Sequence, residues 1–250
     1  LIVINFCMFK SNLAELGSGV YGSNVNNFEI SKSIFQTNKA HGSGGVIFLY
    51  FSSQTLILDS IFHHNFAGMS GGGIYIMKSK NTTVLFCQIN SNFARYQGGI
   101  FYGIELNQFH IDKSLFKNNT GGVGTLSLKM NKYIVIISCI FTVNKAKVKG
   151  GVVSLNNIFY TEVSNCEFYN NAATGSGGAI FSESVKTLNI TSNMFRGHLS
   201  RGNGGVLFSS KYDRLYYYNC HIKTNHAKNG GAIYLSGSHA SLIAFFSNIL

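Results

Sequence analysis

The sequence predicts an all-β fold, a parallel β-helix of about nine coils with about 27 residues in each. Three observations lead to this prediction. One pattern recurs at a nearly constant interval through all 250 residues, and such a period is typical of solenoids, whose repeats bury their apolar faces against each other. Short β-branched runs alternate with bends rich in glycine and asparagine. The chain has no proline, which would remove hydrogen-bond donors from inner strands, and no window has a helical period.

The repeated pattern is clearest at 164–181, which reads S-N-C-E-F-Y-N-N-A-A-T-G-S-G-G-A-I-F. A small residue stands two positions before a phenylalanine, and an asparagine follows the phenylalanine by three positions. A glycine pair then leads into an apolar-x-aromatic run. Successive phenylalanine positions are 25 to 27 residues apart. They are occupied by Phe9, Phe35, Phe62, Ile89, Phe116, Phe141, Phe168, Phe195, Ile222 and Ile249.

Each copy of the pattern is expected to form part of one coil. The first copy has Gly17–Gly19 in place of a regular glycine pair, and the fifth copy is the most degenerate. In order, the copies are Leu1–Tyr21, Ser33–Phe48, Ser60–Tyr75, Cys87–Tyr102, Ser114–Leu128, Cys139–Ser154, Cys166–Phe181, Asn193–Phe208 and Cys220–Tyr234. Between copies lie β-branched, alternating runs such as Thr55–Asp59 and Thr187–Thr191, which predict strands.

Stacked coils rise by about 4.8 Å each, so equivalent residues form columns along the axis. The phenylalanine column predicts a core stack of rings. The glycine pairs predict bends with positive φ or a close approach of neighbouring backbones. The asparagine column predicts a structural ladder of side-chain amides that holds successive bends in register. Its members are Asn12, Asn38, Asn65, Asn92, Asn119, Asn144, Asn171 and Asn225, with His198 replacing the asparagine in one copy.

These motifs resemble the repeat of the chlamydial polymorphic outer-membrane proteins, which is marked by F-x-x-N and G-G-A-I. Here the two motifs stand at Phe168–Asn171 and Gly177–Ile180, and G-G-A-I recurs at Gly230–Ile233. The resemblance covers essentially the whole chain. It implies a right-handed, pectin-lyase-like β-helix of the kind carried on large surface or secreted proteins, often adhesins. Similar repeats occur in very large surface proteins of ciliates and other protists, and the composition favours that relation.

Residues 1–250 are therefore predicted to form a single solenoid that is a window of a longer repeat protein. The flanks are expected to be further repeats or other protein subunits, because an uncovered sheet edge is a template for another chain. On this interpretation the segment does not persist as an isolated monomer.

A non-enzymatic structural or adhesive role in a cell-surface or extracellular protein is predicted, with a polysaccharide lyase-like or hydrolase-like β-helix enzyme as the alternative. Such an enzyme needs carboxylates that converge on one face, as a general acid and base or as a calcium cluster. The chain has nine acidic residues, and no column of the repeat holds two of them on adjacent coils. No catalytic residue, metal ligand or cofactor is predicted.

The five cysteines share one position of the repeat, two residues before the phenylalanine, where other copies have serine. This position is predicted to take a small, mostly inward side chain, so the cysteines are interpreted as core thiols. Cys139 and Cys166 are on consecutive coils, and a disulfide between them is left open. Zinc ligation is not predicted because the chain has no C-x-x-C pair.

The formal net charge of +11 is the main surface signal. Seven basic residues fall in the bend between the asparagine and the glycine pair, and stacking predicts a basic ridge suited to an anionic glycan, a membrane surface or an acidic protein. They are Lys39, Arg95, Lys145, Lys147, Lys149, Arg201 and Lys228. The alternative is a solvated ridge that aids solubility. Nucleic acid is not expected, since no recognised module is present.

Three sequons are compatible with glycosylation at Asn81, Asn118 and Asn189, as in an extracellular or cell-surface location. The predicted context is a membrane-anchored or secreted larger protein.

Overall fold

In the computed structural model, the chain is a parallel β-solenoid of three sheets, and the structure describes residues 1–237, 241–245 and 248–249. No helix is present in these ranges. The predicted all-β fold, with about nine turns spaced about 27 residues apart, is confirmed. Every pair of neighbouring strands is parallel, and an inner strand such as Gln88–Asn90 pairs with its equivalents one coil before and one coil after.

The three sheets differ in strand length and are called the wide, middle and short sheets. The wide sheet contains Ile2–Asn5, Val20–Ser31, Ile47–Leu58, Ile74–Met77, Asn81–Leu85, Phe101–Ile104, Gln108–Asp112, Leu126–Lys129, Tyr133–Ile137, Val153–Ser164, Ile180–Thr191, Leu207–Ser210, Arg214–Tyr218, Ile233–Ser236 and Ser241–Phe245. The middle sheet contains Met8–Lys10, Ile34–Gln36, Ile61–His63, Gln88–Asn90, Leu115–Lys117, Ile140–Thr142, Glu167–Tyr169, Met194–Arg196, His221–Lys223 and Asn248–Ile249. The short sheet contains Leu13–Ala14, Lys39–Ala40, Phe66–Ala67, Phe93–Ala94, Thr120–Val123, Lys145–Lys149, Ala172–Ala173 and Leu199–Ser200.

The core is a set of columns of identical or similar side chains. In the middle sheet Phe35 pairs with Phe62, and both rings are fully buried. Ring centroids of adjacent phenylalanines in this column are 4.7 to 5.0 Å apart, which confirms the predicted ring stack. In the wide sheet the inward positions are filled by branched aliphatic residues such as Ile57 and Val84. β-Branched side chains fit this pleated, one-sided surface well.

Sharp corners separate the sheets, and each corner repeats at the same place in every coil. One residue at each end of the middle-sheet strand has a left-handed backbone, as Asp59 (φ 46°) and His64 (φ 57°) do around the strand Ile61–His63. Such a conformation costs a non-glycine residue roughly 1–2 kcal/mol, so the corners must be held by other interactions.

The glycine pairs combine the two roles predicted for them. Gly177 has φ of 71°, and the first glycine of the other regular pairs also has positive φ. The second glycine is required for space, because a Cβ on Gly178 would lie 2.2 Å from the carbonyl oxygen of Gly205. Neighbouring coils therefore touch backbone to backbone at this bend.

Candidate interaction surfaces

The asparagine column forms a continuous chain of side-chain hydrogen bonds along the solenoid. Nδ2 of Asn65 donates to Oδ1 of Asn92 at 2.9 Å, and Nδ2 of Asn92 donates to Oδ1 of Asn119 at the same distance. Equivalent bonds of 2.9 to 3.1 Å join Asn12 to Asn38, Asn38 to Asn65, Asn119 to Asn144 and Asn144 to Asn171.

Each carboxamide in this ladder also binds backbone groups. Oδ1 of Asn92 accepts a second bond from the backbone N–H of Asn65 at 3.0 Å, and Nδ2 of Asn92 donates to the carbonyl oxygen of Phe62. Asn92 is 1% exposed, so these bonds satisfy groups that water does not reach. The ladder residue follows the left-handed corner residue directly, which places its bonds where the backbone is strained.

His198 continues the ladder with an imidazole. The ring Nδ1 accepts the backbone N–H of Asn171 at 3.1 Å, and the backbone N–H of His198 donates to Oδ1 of Asn225 at 2.9 Å. Nε2 is buried and has no hydrogen-bond partner within the described ranges. Burial lowers the pKa of His198 to about 4, so the ring is neutral near pH 7.

A second ladder, which the sequence reasoning missed, runs through the cysteine and serine position at the other end of the middle-sheet strand. The backbone N–H of Cys87 donates to Oγ of Ser114 at 3.1 Å, and that hydroxyl donates to the carbonyl of Asp112 at 2.9 Å. The backbone N–H of Cys139 similarly donates to Sγ of Cys166 at 3.4 Å. Serine and cysteine share a small size and a hydrogen-bonding atom, and this shared chemistry was the available signal.

All five cysteines are free thiols, including Cys139 and Cys166. Four are buried, whereas Cys7 is exposed. Burial raises the pKa of the Cys87 thiol to about 12. A side-chain hydrogen bond with Cys166 and burial raise the pKa of Cys139 as well. Thiols held in the neutral form are poor nucleophiles and poor metal ligands.

The acidic residues do not converge. In the strands, Asp112 pairs with Leu85 and Ile137, Glu162 pairs with Val135 and Asn189, and neither pairs with an acid. Within the described part of the chain, no group of three or more His, Cys, Asp or Glu side chains could hold a metal ion. Nor does that part contain a helix of the length and apolarity needed to cross a membrane.

The outer face of the wide sheet carries a row of aromatic rings that sequence reasoning did not identify as a surface. Rings of Tyr21, Phe48, Tyr75 and Tyr102 follow one another with centroids 4.6 to 5.5 Å apart. Further along the axis, Phe181, Phe208 and Tyr234 stack at 4.9 and 5.4 Å. Burial and the neighbouring tyrosines raise the pKa of Tyr75 to about 12. The aromatic residue that follows most of the glycine pairs was the visible signal.

Comparison with known proteins agrees with this architecture. The family model described as the right handed beta helix region matches residues 2–140, which is more than half of the chain. The chain belongs to the right-handed β-helix family. The model of the Chlamydia polymorphic membrane protein repeat matches residues 165–183 of this β-helix. No curated protein and no solved structure matches the chain. The resemblance to the chlamydial repeat, drawn from the F-x-x-N and G-G-A-I motifs, is thereby confirmed.

The seven basic residues of the predicted ridge do not form one continuous row on the β-helix. Lys39 and Lys145 share a column of the short sheet, but Phe66, Phe93 and Thr120 occupy the three coils between them. At a rise of about 4.8 Å per coil, the two lysines are about 19 Å apart along the axis. The bend offers several columns, and the basic residues are divided among them.

Lys149 departs furthest from the predicted ridge. Its Nζ is 3.5 Å from Oε2 of Glu183 and 4.0 Å from the ring centroid of Phe181, so it lies against the wide sheet. Lys145 and Lys147 remain exposed on the short sheet, and Nζ of Lys147 lies 4.9 Å from the ring centroid of Phe93. The other exposed members are Lys39, Arg95, Arg201 and Lys228.

The three sequons occupy different settings. Asn118 is exposed at a corner with φ of 54°, and its Nδ2 donates to Oγ of Ser91 at 3.2 Å. Asn81 begins a strand of the wide sheet, and Asn189 lies within the strand Ile180–Thr191. Both are half-buried.

Proposed function

We propose that this chain is a non-enzymatic, structural and adhesive β-helix segment of a large cell-surface or extracellular protein that is membrane-anchored or secreted. Its long outer surface makes contacts with proteins or glycans. The match to the polymorphic membrane protein repeat supports the surface location. The partners in this proposal are further repeats or other subunits, together with an anionic glycan or membrane surface.

The adhesive part of the proposal rests on an excess of positive side chains over acidic ones along an elongated surface. The chain has 20 lysines and arginines against nine acids. In the described ranges there are two ion pairs, and both involve Glu183, with Lys149 at 3.5 Å and Lys211 at 3.7 Å. Most of the cationic groups are therefore available to an anionic partner, and their summed field favours its approach.

The arrangement of carboxylates supports a non-enzymatic role. General acid–base catalysis needs two titratable groups within reach of one substrate bond. Glu162 and Glu183 stand in different columns of the wide sheet, and each pairs with non-acidic neighbours. Strand pairing in the wide sheet therefore does not place these two carboxylates side by side as a general acid and base.

Retention on immobilised heparin tests the proposal. Replacing Lys39, Lys145 and Lys147, which are exposed on the short sheet, by glutamine is expected to lower the salt concentration needed for elution, because fewer counterions are released on binding. Lys32, Lys113 and Lys223 are exposed elsewhere and give a control triple variant with the same loss of charge. The proposal fails if wild-type protein is not retained at low salt. Equal weakening by both triple variants would mean that net charge, and not this surface, governs retention.

A further inference from the structure

The outer aromatic row is interrupted at two consecutive coils. Tyr102 pairs with Ser127, Ser127 with Ser154, and Ser154 with Phe181. Two serines therefore stand where the other coils have rings. Tyr102 and Phe181 are three coil steps apart, about 14 Å along the axis.

The interruption is a depression of about 180 Å³, which we call the notch; its polar lining is formed by Gln97, Ser127, Lys129, Lys149, Ser154 and Asn156. The volume is smaller than the roughly 300–1,000 Å³ of pockets that take drug-sized ligands. It equals the liquid volume of about six water molecules, which is enough for one small ring. The notch therefore fits a single unit of a longer molecule that runs over the surface.

Four of the six polar side chains that line the notch have a hydrogen-bond or ion-pair partner. Oγ of Ser127 donates to Oε1 of Gln97 at 3.4 Å, and Nδ2 of Asn156 donates to Oε2 of Glu183 at 3.3 Å. Nζ of Lys149 is 3.5 Å from the same Oε2. Side chains ordered in this way lose less conformational entropy when a ligand binds.

The charges of the notch leave a net positive site. Lys129 and Lys149 line it, and Glu183, which lies beside it, also contacts Lys211 at 3.7 Å. Two ammonium groups therefore meet one carboxylate, which leaves one positive charge uncompensated at the lining, beside hydroxyl and amide groups. An anionic group on a hydroxyl-rich ring matches this mixture of donors and acceptors.

We propose that the notch binds one carboxylate-bearing sugar residue of an acidic glycan, a site that rests on and deepens the proposed adhesive function. The sugar carboxylate pairs with Lys149 and Lys129. The ring hydroxyls exchange hydrogen bonds with Ser127, Ser154 and Asn156. Neighbouring sugars of the chain run along the axis beside the aromatic row.

The probe is a hyaluronan oligosaccharide, in which glucuronate alternates with N-acetylglucosamine, titrated into the protein by calorimetry. A chitin oligosaccharide of equal length supplies the N-acetylglucosamine without the carboxylate. We expect the hyaluronan oligosaccharide to bind. The chitin oligosaccharide should bind at least about tenfold more weakly, because it lacks one charge-assisted hydrogen bond. Equal binding of both probes, or no binding of hyaluronan, overturns the proposal.

Ser154→Phe fills the notch with a side chain that this position already accommodates, because Phe181 and Phe208 occupy the same column on the next two coils. It is expected to melt like wild type and to lose hyaluronan binding by about tenfold or more. Lys117→Gln, outside the notch, is the control. Unchanged hyaluronan affinity in a folded Ser154→Phe protein overturns the site. Wild-type heparin retention distinguishes the two proposals: retention on heparin without hyaluronan binding overturns the notch alone, whereas failure of both overturns the adhesive function as well.

Discussion

The backbone N–H of Asn171 donates a 3.1 Å hydrogen bond to Nδ1 of His198, the imidazole that replaces a carboxamide in the asparagine ladder. The carboxamide of an asparagine at this position would also accept a bond from Nδ2 of Asn171, as Asn171 itself does from Asn144. The imidazole instead leaves a buried Nε2 without a partner within the described ranges. The ladder therefore lacks one side-chain bond at this coil.

His198 is expected to make the stability of the protein fall in mild acid. Its pKa is about 4 in the folded protein and 6.5 when solvated, so the unfolded chain binds more protons between these values. The neutral His198 ring makes its full contribution to the free energy of unfolding above about pH 7, and this contribution is lost as the pH falls from 6.5 towards 4. It amounts to about 3 kcal/mol at 1.36 kcal/mol per pKa unit. Chemical denaturation at a series of pH values measures it.

His198→Asn should remove this dependence and restore the missing ladder bond. A gain of about 1 kcal/mol in the free energy of unfolding at pH 7 is expected, the usual net value of one hydrogen bond. His221→Asn, at an exposed position, is the matched control. Parallel pH curves for wild type and His198→Asn would show that the imidazole does not control the acid sensitivity.

Asn92→Ala should lower the free energy of unfolding by about 1–3 kcal/mol, because it leaves buried backbone groups unsatisfied. The variant removes the acceptor of the Asn65 N–H and the donor to the Phe62 carbonyl. Asn107→Ala changes the same residue type at an exposed position and should have little effect. Thermal or urea melts compare the two, and a wild-type melt for Asn92→Ala would contradict a structural role for the ladder.

The thiols should divide into two classes by reactivity. Cys7 is exposed and is expected to react rapidly with an aromatic disulfide reagent under native conditions. The four buried cysteines should react only after unfolding, since the reagent does not reach them in the folded protein. A full count of five thiols in denaturant agrees with free cysteines. A count lower by two would reveal a disulfide, and peptide mapping would then locate it.

The sequence was enough to predict the fold because one period fixes the register of every column. Phe35 lies over Phe62 as the spacing requires. The period does not say which way a side chain points. Phe168 and Phe181 belong to the same copy, but Phe168 is in the core and Phe181 is in the outer row. That difference follows from strand alternation and becomes clear only when strand bounds are known.

The surfaces were harder to predict than the core. The sequence places Lys149 in the bend between the asparagine and the glycine pair, whereas its contact with Glu183 joins residues on neighbouring coils and different sheets. A distance in sequence does not report such a contact when each coil differs slightly in length. The hydrogen bonds of the cysteine position were missed for another reason, because a small residue is compatible with both apolar packing and a polar ladder.

The uniform pairing of each coil with the next makes the coil a unit of length. Excision of one full period, such as residues 168–194, would bring Phe195 onto Phe141, a match that the present column already makes through Phe168. Gain or loss of whole periods in a gene would therefore lengthen or shorten the rod by about 4.8 Å per coil without a new packing problem. The distance between two binding sites on this surface would then change in steps of one coil as repeats are gained or lost.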